Sequence, residues 1–337
     1  MTNILLIGQN MEMMKSFNVW SEFQPLKSIA VGNINPIDEI DITILDHNHQ
    51  DNLTKVLEYT HQDLEKIKLS LHNLSIHVEQ CKTFDLRGSQ GSSPPLQPRD
   101  WFMIYGDTTI LPNQNKFYND AKTKSLNHVL KNKIVHGDYT DTANYLRCGN
   151  DVFYTSDFGD QGTTEGELFV NEQLKLINSD VKLHQIDNVG AHLDGSIFFV
   201  RPGLLLSAIP KKDLPHCLHS WDVIDCTIPE AKPINSANVW GDLFRHKHKK
   251  FHPFILEKWL WYKHTNPEET VWSINALSIN EQCVMMSGYN KYVFDELKKY
   301  KIECIDLGLK SLDFWDGGLH CFTNELERQG DCVDYFA

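Results

Sequence analysis

Residues 192–207 read His-Leu-Asp-Gly-Ser-Ile-Phe-Phe-Val-Arg-Pro-Gly-Leu-Leu-Leu-Ser. Two apolar runs, Ser196–Val200 and Leu204–Ser207, flank Arg201-Pro202-Gly203, a turn by composition, so the stretch predicts a β-hairpin. A second pair has the same form: Ala276–Ile279 and Cys283–Met286 flank Asn280-Glu281-Gln282. After it come an amphipathic pattern over Lys291–Tyr300 and a strand-like Cys304–Leu307. A hairpin, a helix and a returning strand make a plausible repeating unit. On this pattern the chain is an α/β protein of short strands.

Outward from these hairpins, further strands are expected at Ser28–Val31, Trp101–Tyr105, Asp151–Thr155 and Val271–Leu277, with Cys283 extending to Ser287. Helices are expected at Asp51–Leu71, Asn119–Lys131, Glu165–Asn178 and Pro253–His264; Val170, Leu174 and Ile177 recur at helical spacing. Gly88–Arg99 (GSQGSSPPLQPR) reads as a surface loop or an approach to a site, because the strand after it carries a candidate site residue.

With 337 residues, 41% hydrophobic and 23% charged, the chain can bury a sizeable core. A net charge of −13 argues against nucleic acid and anionic membrane as partners. The eight cysteines are scattered without a CxxC pair, which suggests reduced thiols and a cytoplasmic setting. The opening MTNILLIGQNMEMMKSF lacks a basic leader and a small-residue cleavage site, so it reads as a strand rather than a signal peptide. No apolar run approaches membrane-span length. The basic run Arg245–Lys250 (RHKHKK) reads as a solvated loop or helix start. Its His246 and His248 have no cysteine or carboxylate cluster at metal-ligand spacing, so no metal is assigned.

Four places combine residues that could do chemistry. In Gly317-Gly318-Leu319-His320-Cys321 a thiol follows a Gly-Gly turn, where the missing Cβ atoms let backbone approach a ligand closely. A cysteine alone is ordinarily a small buried hydrophobe; here it is a candidate nucleophile because of the motifs upstream. His192 and Asp194 would project to the same face if their backbone is extended, and a carboxylate beside an imidazole fixes its tautomer. His192 is therefore a candidate general acid and base. Asp100, in Pro98-Arg99-Asp100, and Asp141, in Asp141-Thr142-Ala143-Asn144, each sit where a loop meets a strand.

In their order along the chain, Asp100, Asp141, His192 and Cys321 resemble the amidinotransferases of the guanidino-modifying, or pentein, superfamily, and most closely the arginine:glycine amidinotransferase family. The resemblance rests on PRDWFMIYG, DTANYLRCGNDVF, HLDGSIFFVRPGLLLS and GGLHC, with NVWSEFQPLKSIAVG at the opening strand, and runs from about Asn18 to Ala337. It implies a five-bladed pseudo-symmetric α/β propeller of ββαβ units: residues 18–337 as a single domain, and 1–17 as an extension packed on it. It also implies transfer of the amidino group of L-arginine, through an amidino-cysteine on Cys321, to glycine, giving ornithine and guanidinoacetate. Alternatives on the same fold are another small amine as acceptor, an arginine hydrolase or deiminase, and a non-catalytic binding module.

The resemblance further implies roles. Cys321, His192 and Asp141 would be catalytic. Asp100 and Asp194 would bind substrate, with Asp100 and Asp141 holding the guanidinium nitrogens. The family places an arginine against the donor carboxylate where this chain has Ile209-Pro210-Lys211-Lys212, so Lys211 or Lys212 would supply charge without a bidentate fork. Asn144 stands where the family often has a second Asp, and Glu268-Glu269-Thr270 replaces a serine-rich approach. Partners would be small molecules, L-arginine and glycine or another amine, with no organic cofactor and no metal; a homodimer is compatible with the class.

Overall fold

The computed structural model describes residues 17–39, 47–83, 95–112, 125–130, 132–156, 162–187, 189, 192–231, 273–315 and 317–337. The strands are β1 (Leu26–Val31), β2 (His77–Gln80), β3 (Met103–Tyr105), β4 (Thr108–Pro112), β5 (Lys133–Gly137), β6 (Tyr145–Cys148), β7 (Asp151–Tyr154), β8 (Lys182–Gln185), β9 (Ile197–Arg201), β10 (Leu204–Ser207), β11 (Asp222–Asp225), β12 (Leu277–Asn280), β13 (Cys283–Met286), β14 (Glu303–Asp306) and β15 (Thr323–Arg328). They form five three-stranded sheets: β15-β1-β2, β3-β4-β5, β6-β7-β8, β9-β10-β11 and β12-β13-β14.

Every sheet has the same wiring. The first strand pairs antiparallel with the second, and the second pairs parallel with the third. First and second strands are almost wholly buried, whereas third strands are mostly exposed or half-buried. Each sheet therefore runs from a buried first strand to a partly solvated third. Four hairpins are local. The fifth sheet takes its first strand from the far end of the chain, since Ile29 on β1 pairs with Glu325 on β15.

A parallel return needs a crossover long enough to bring the chain back. Helices α1 (His47–Asn73), α2 (Thr164–Ile177) and α3 (Lys291–Lys299) supply three of these. Each buries an apolar stripe against its sheet, for example Leu64, Ile67 and Leu71 of α1 and Val293 and Leu297 of α3. The caps suit the sequence: Thr163 accepts from Gly166 N–H at α2, and Asn290 accepts from Val293 N–H at α3. The β10–β11 crossover departs from the expected ββαβ unit. It consists of two 3-10 turns, Lys211–Asp213 and His216–Ser220, because Pro210 and Pro215 interrupt any longer helix.

Other differences are local. Residues 273–276 form a turn, so the expected strand Val271–Leu277 begins only at Leu277 and runs to Asn280. Of the expected helix Asn119–Lys131, the described part amounts to one turn around Ser125–Val129. Pro253–His264, Arg245–Lys250, Glu268–Thr270 and most of Gly88–Arg99 and of 1–17 lie outside the described residues. The expected hairpin at Arg201-Pro202-Gly203 is present, with Gly203 at φ +80, a region that suits glycine. Among the described residues no helix is long and apolar enough to cross a membrane.

Candidate active site

The turns just ahead of the first strands converge. Asp100 ends the 3-10 turn Pro98–Asp100 before β3, and Asp141 immediately precedes the turn Thr142–Asn144 before β6. His192 immediately precedes the turn Leu193–Gly195 before β9. Asn275 precedes β12, and Cys321 precedes β15. The turns before β3, β6 and β9 pack on one another, and Thr142 Oγ1 donates to Arg99 O at 2.6 Å. Each sheet thus contributes one polar turn to a common centre.

His192 lies between two of these carboxylates. Its Nε2 is 3.3 Å from Asp141 Oδ2 and its Nδ1 is 3.8 Å from Asp100 Oδ1, with all three side chains less than a fifth exposed. Burial opposes charge on the ring, but Asp100, Asp141 and Asp194 outweigh it and hold His192 up at about 10. Burial, reinforced by Asp141 and Asp194, lifts Asp100 to about 7 despite the attraction of His192.

Cys321 is fixed by Asn275. The Asn275 amide donates from Nδ2 to Cys321 Sγ at 3.0 Å, and its Oδ1 accepts from Cys321 N–H at 3.1 Å. Gly317 and Gly318 make this approach possible. A Cβ at Gly318 would stand 2.6 Å from Asn275 Oδ1, and one at Gly317 would stand 2.5 Å from Gln97 Nε2. At these two glycines the close approach is by neighbouring protein side chains.

Asp194 corrects a second expectation. It lies in a 3-10 turn, not extended backbone, and forms no hydrogen-bonded pair with His192. Its Oδ2 is 2.8 Å from His320 Nδ1 and 3.6 Å from Cys321 Sγ, which donates when protonated. Its Oδ1 is buried with no hydrogen-bond partner. Burial works against its charge, but His320, His192 and Arg99 hold Asp194 below the usual carboxylate range. Because its charge also acts on Asp100 and His192, Asp194 joins the thiol to the His192 cluster electrostatically.

Beneath the site is a buried charge network. Arg147 Nε donates to Glu22 Oε1 at 2.7 Å and its Nη2 to Glu325 Oε2 at 2.6 Å. Arg99 Nη2 reaches Glu325 Oε2 at 2.5 Å, and Arg328 Nη2 reaches Glu325 Oε1 at 3.0 Å. His320 Nε2 lies 3.5 Å from Glu22 Oε2. Glu22, His320 and Glu325 have ligand atoms within 4.8 Å of one another, yet three guanidinium groups already neutralise the two glutamates, so the group is an ion-pair core rather than a cation site.

Lys211 stands apart. It is exposed on its 3-10 turn, and Nζ donates to Trp221 O at 2.7 Å. None of its described contacts joins it to the central cluster. Asn144 is buried, and neither amide atom of its side chain has a hydrogen-bond partner. Sequence reasoning missed Asn275, which lay inside an apolar run, and quoted His320 only as part of a motif.

A ring of five such sheets with polar turns at its centre is the fold of the guanidino-modifying, or pentein, superfamily. The solved structure of SxtG, an amidinotransferase of the saxitoxin biosynthetic pathway of Microseira wollei, superposes with a TM-score of 0.70 at 17% identity, covering 96% of this chain and 100% of that one. Among curated proteins, the chain is similar in sequence to amidinotransferases. It is 25% identical over 207 residues to the mitochondrial glycine amidinotransferase of Xenopus tropicalis, covering 58% of this chain and 40% of that protein. It is also 25% identical over 201 residues to inosamine-phosphate amidinotransferase 1 of Streptomyces glaucescens, covering 58% of this chain and 48% of that one. The matched region is thus less than half the length of these curated relatives. No protein-family model matches the chain.

Proposed function

We propose that the protein is an amidinotransferase that moves the amidino group of L-arginine to a small primary amine, with glycine the leading acceptor. The observation that carries this reading is the convergence of a thiol, an imidazole and three carboxylates, Asp100, Asp141 and Asp194, on the turns of one ring.

A guanidinium is a planar, resonance-stabilised cation, so attack on its carbon needs a strong nucleophile and a negatively charged cradle. Asp100 and Asp141 supply the cradle, and the Cys321 thiolate attacks. As the S–C bond forms and the C–N bond breaks, protonated His192 gives its proton to the departing nitrogen. Ornithine leaves, and Cys321 carries the amidino group as a cationic thioether. Neutral His192 then takes a proton from the acceptor amine, the amine attacks the same carbon, and Cys321 leaves as thiolate.

The electrostatics fit the order of events. Before substrate binds, the carboxylates hold His192 protonated, as a general acid must be. An arriving guanidinium shares those carboxylates, which weakens their hold on the imidazolium proton and readies the ring to act first as acid and then as base. The chemistry needs no metal or organic cofactor.

The deciding experiment supplies arginine with and without amines and follows the products. Ornithine rising in step with guanidinoacetate, and little ornithine when glycine is omitted, is the expected result. Citrulline formed without any amine would replace transferase with deiminase, and ornithine formed only with another amine would change the acceptor and keep the mechanism. A homodimer is proposed on the same footing, to be read by sedimentation.

A further inference from the structure

A second cysteine sits in a built environment away from the central cluster. On β7, buried Asp151 holds His184 of β8 with a 2.6 Å contact from Oδ1 to Nε2. The His184 ring is stacked on Phe153, centroids 4.8 Å apart at 21°. Cys217, on the crossover turn His216–Ser220 of the next sheet, places Sγ 3.8 Å from Nδ1 and 4.0 Å from Nε2 of that ring. Near-equal distances to both nitrogens make this a close approach of thiol to ring rather than an aimed hydrogen bond. Asp151 Oδ2 is buried without a hydrogen-bond partner, so the carboxylate's described side-chain pairing is with His184 alone.

The hydrogen bond with Asp151, together with Cys217 beside the ring, outweighs burial and raises His184 to about 9, so it is an imidazolium at neutral pH. An imidazolium within 4 Å of the sulfur is a setting that promotes attack by a cysteine on an electrophile. Cys217 is half-buried and the His184 side chain is 22% exposed, so solvent reaches the pair. The surroundings of the other peripheral thiols differ. Burial pushes Cys81 and Cys226 up to about 12 and Cys283 and Cys304 up to about 11.

We propose that Cys217, paired with the Asp151-held His184, is a second reactive cysteine and a modification site for hydroperoxides and other soft electrophiles, separate from the central thiol. In the hydroperoxide case the Cys217 thiolate attacks the terminal peroxide oxygen. The S–O bond forms, the O–O bond breaks, sulfur is oxidised to sulfenic acid, and hydrogen peroxide is reduced to hydroxide. Hydroxide takes the His184 proton and leaves as water. The same seam holds the C-terminal segment, where Lys182 Nζ contacts Asp334 at 2.7 Å and Phe336 stacks on Trp221, so a modified Cys217 would be felt there.

The test is peptide-resolved labelling at pH 7, with iodoacetamide in one arm and hydrogen peroxide plus a sulfenic-acid trap in the other. Cys304, also half-buried, is the internal reference. In wild type, Cys217 should label at least ten-fold faster than Cys304. In His184→Gln the Cys217 rate should fall by about that factor, while Cys304 keeps its rate as evidence of an intact fold. Equal rates for Cys217 and Cys304 in wild type would overturn the proposal even if the variant failed to fold. A Cys217 rate unchanged in a folded His184→Gln would overturn it as well.

Discussion

Asp194 meets His320, not His192: its Oδ2 lies 2.8 Å from His320 Nδ1 and 3.6 Å from Cys321 Sγ. That contact couples the proposed nucleophile, Cys321, to the buried charges beneath it. Replacing Asp194 with Asn should therefore do two things. Turnover should fall, because the charge that joins the thiol to the His192 cluster is removed. The thermal midpoint should also fall, because His320 is left buried beside a neutral amide; breaking such a pair costs about 3–5 kcal/mol. A variant with a normal midpoint and near-normal kcat would show that the contact is incidental.

Cys321→Ala should abolish turnover, and the wild-type enzyme given arginine without acceptor should carry an amidino mass increment on the Cys321 peptide. Full activity in that variant, or an adduct elsewhere, would remove Cys321 from the mechanism.

Asn275→Ala deletes both contacts to Cys321 while leaving Asp100 and Asp141 in place. The loss should appear in kcat, by about ten-fold or more, with the arginine KM little changed, since an interaction that positions the nucleophile does not grip the substrate. A raised KM with unchanged kcat would place Asn275 in substrate binding instead.

The two raised groups of the His192 cluster set a sign for stability against pH. His192 is lifted from 6.5 to about 10 and Asp100 from 3.8 to about 7, so the folded state holds the extra protons. The His192 contribution is complete below pH 6.5 and is lost as pH rises through 10; that of Asp100 fades between 3.8 and 7. Glu22, held near 2 against 4.5 because Arg147, His320 and Arg99 outweigh burial and Glu325, acts oppositely and loses its contribution as pH falls from 4.5 towards 2. Thermal melts should show a midpoint that declines from pH 7 to pH 10, and His192→Gln should flatten that decline. An unchanged slope in the variant would assign the titration to other groups.

Glu325 is the anion shared by Arg99, Arg147 and Arg328. Glu325→Gln should destabilise the fold by about 3–5 kcal/mol, because uncompensated guanidinium charge is left buried. Denaturant unfolding would measure it, and a loss below about 1 kcal/mol would mean that the arginines find other partners.

What sequence revealed and what it hid have physical causes. Leu204–Ser207 was legible because a second strand buried on both faces is a continuous apolar run beside an obvious turn. The third strands His77–Gln80, Lys182–Gln185 and Asp222–Asp225 were not, being four-residue, half-solvated and polar. The start of β12 was misplaced because Ser273–Ala276 is apolar enough to pass for strand, which concealed the turn that carries Asn275. The positions of Asp100, Asp141, His192 and Cys321 came from motif order, and the structure brings their turns towards one centre. The partner of Asp194 was invisible, since the alternation argument assumed extended backbone and His320 lies far along the chain.

Pairing of β1 with β15 has a consequence for how the protein is made. The strand that closes the ring is also the one that follows Cys321, so synthesis delivers ring closure and the proposed nucleophile together. A nascent chain halted after β14 would display the Asp100, Asp141 and His192 turns and lack the thiol. Contacts this distant in sequence also form slowly. The proposed nucleophile thus joins the other turns of the site only as the ring closes.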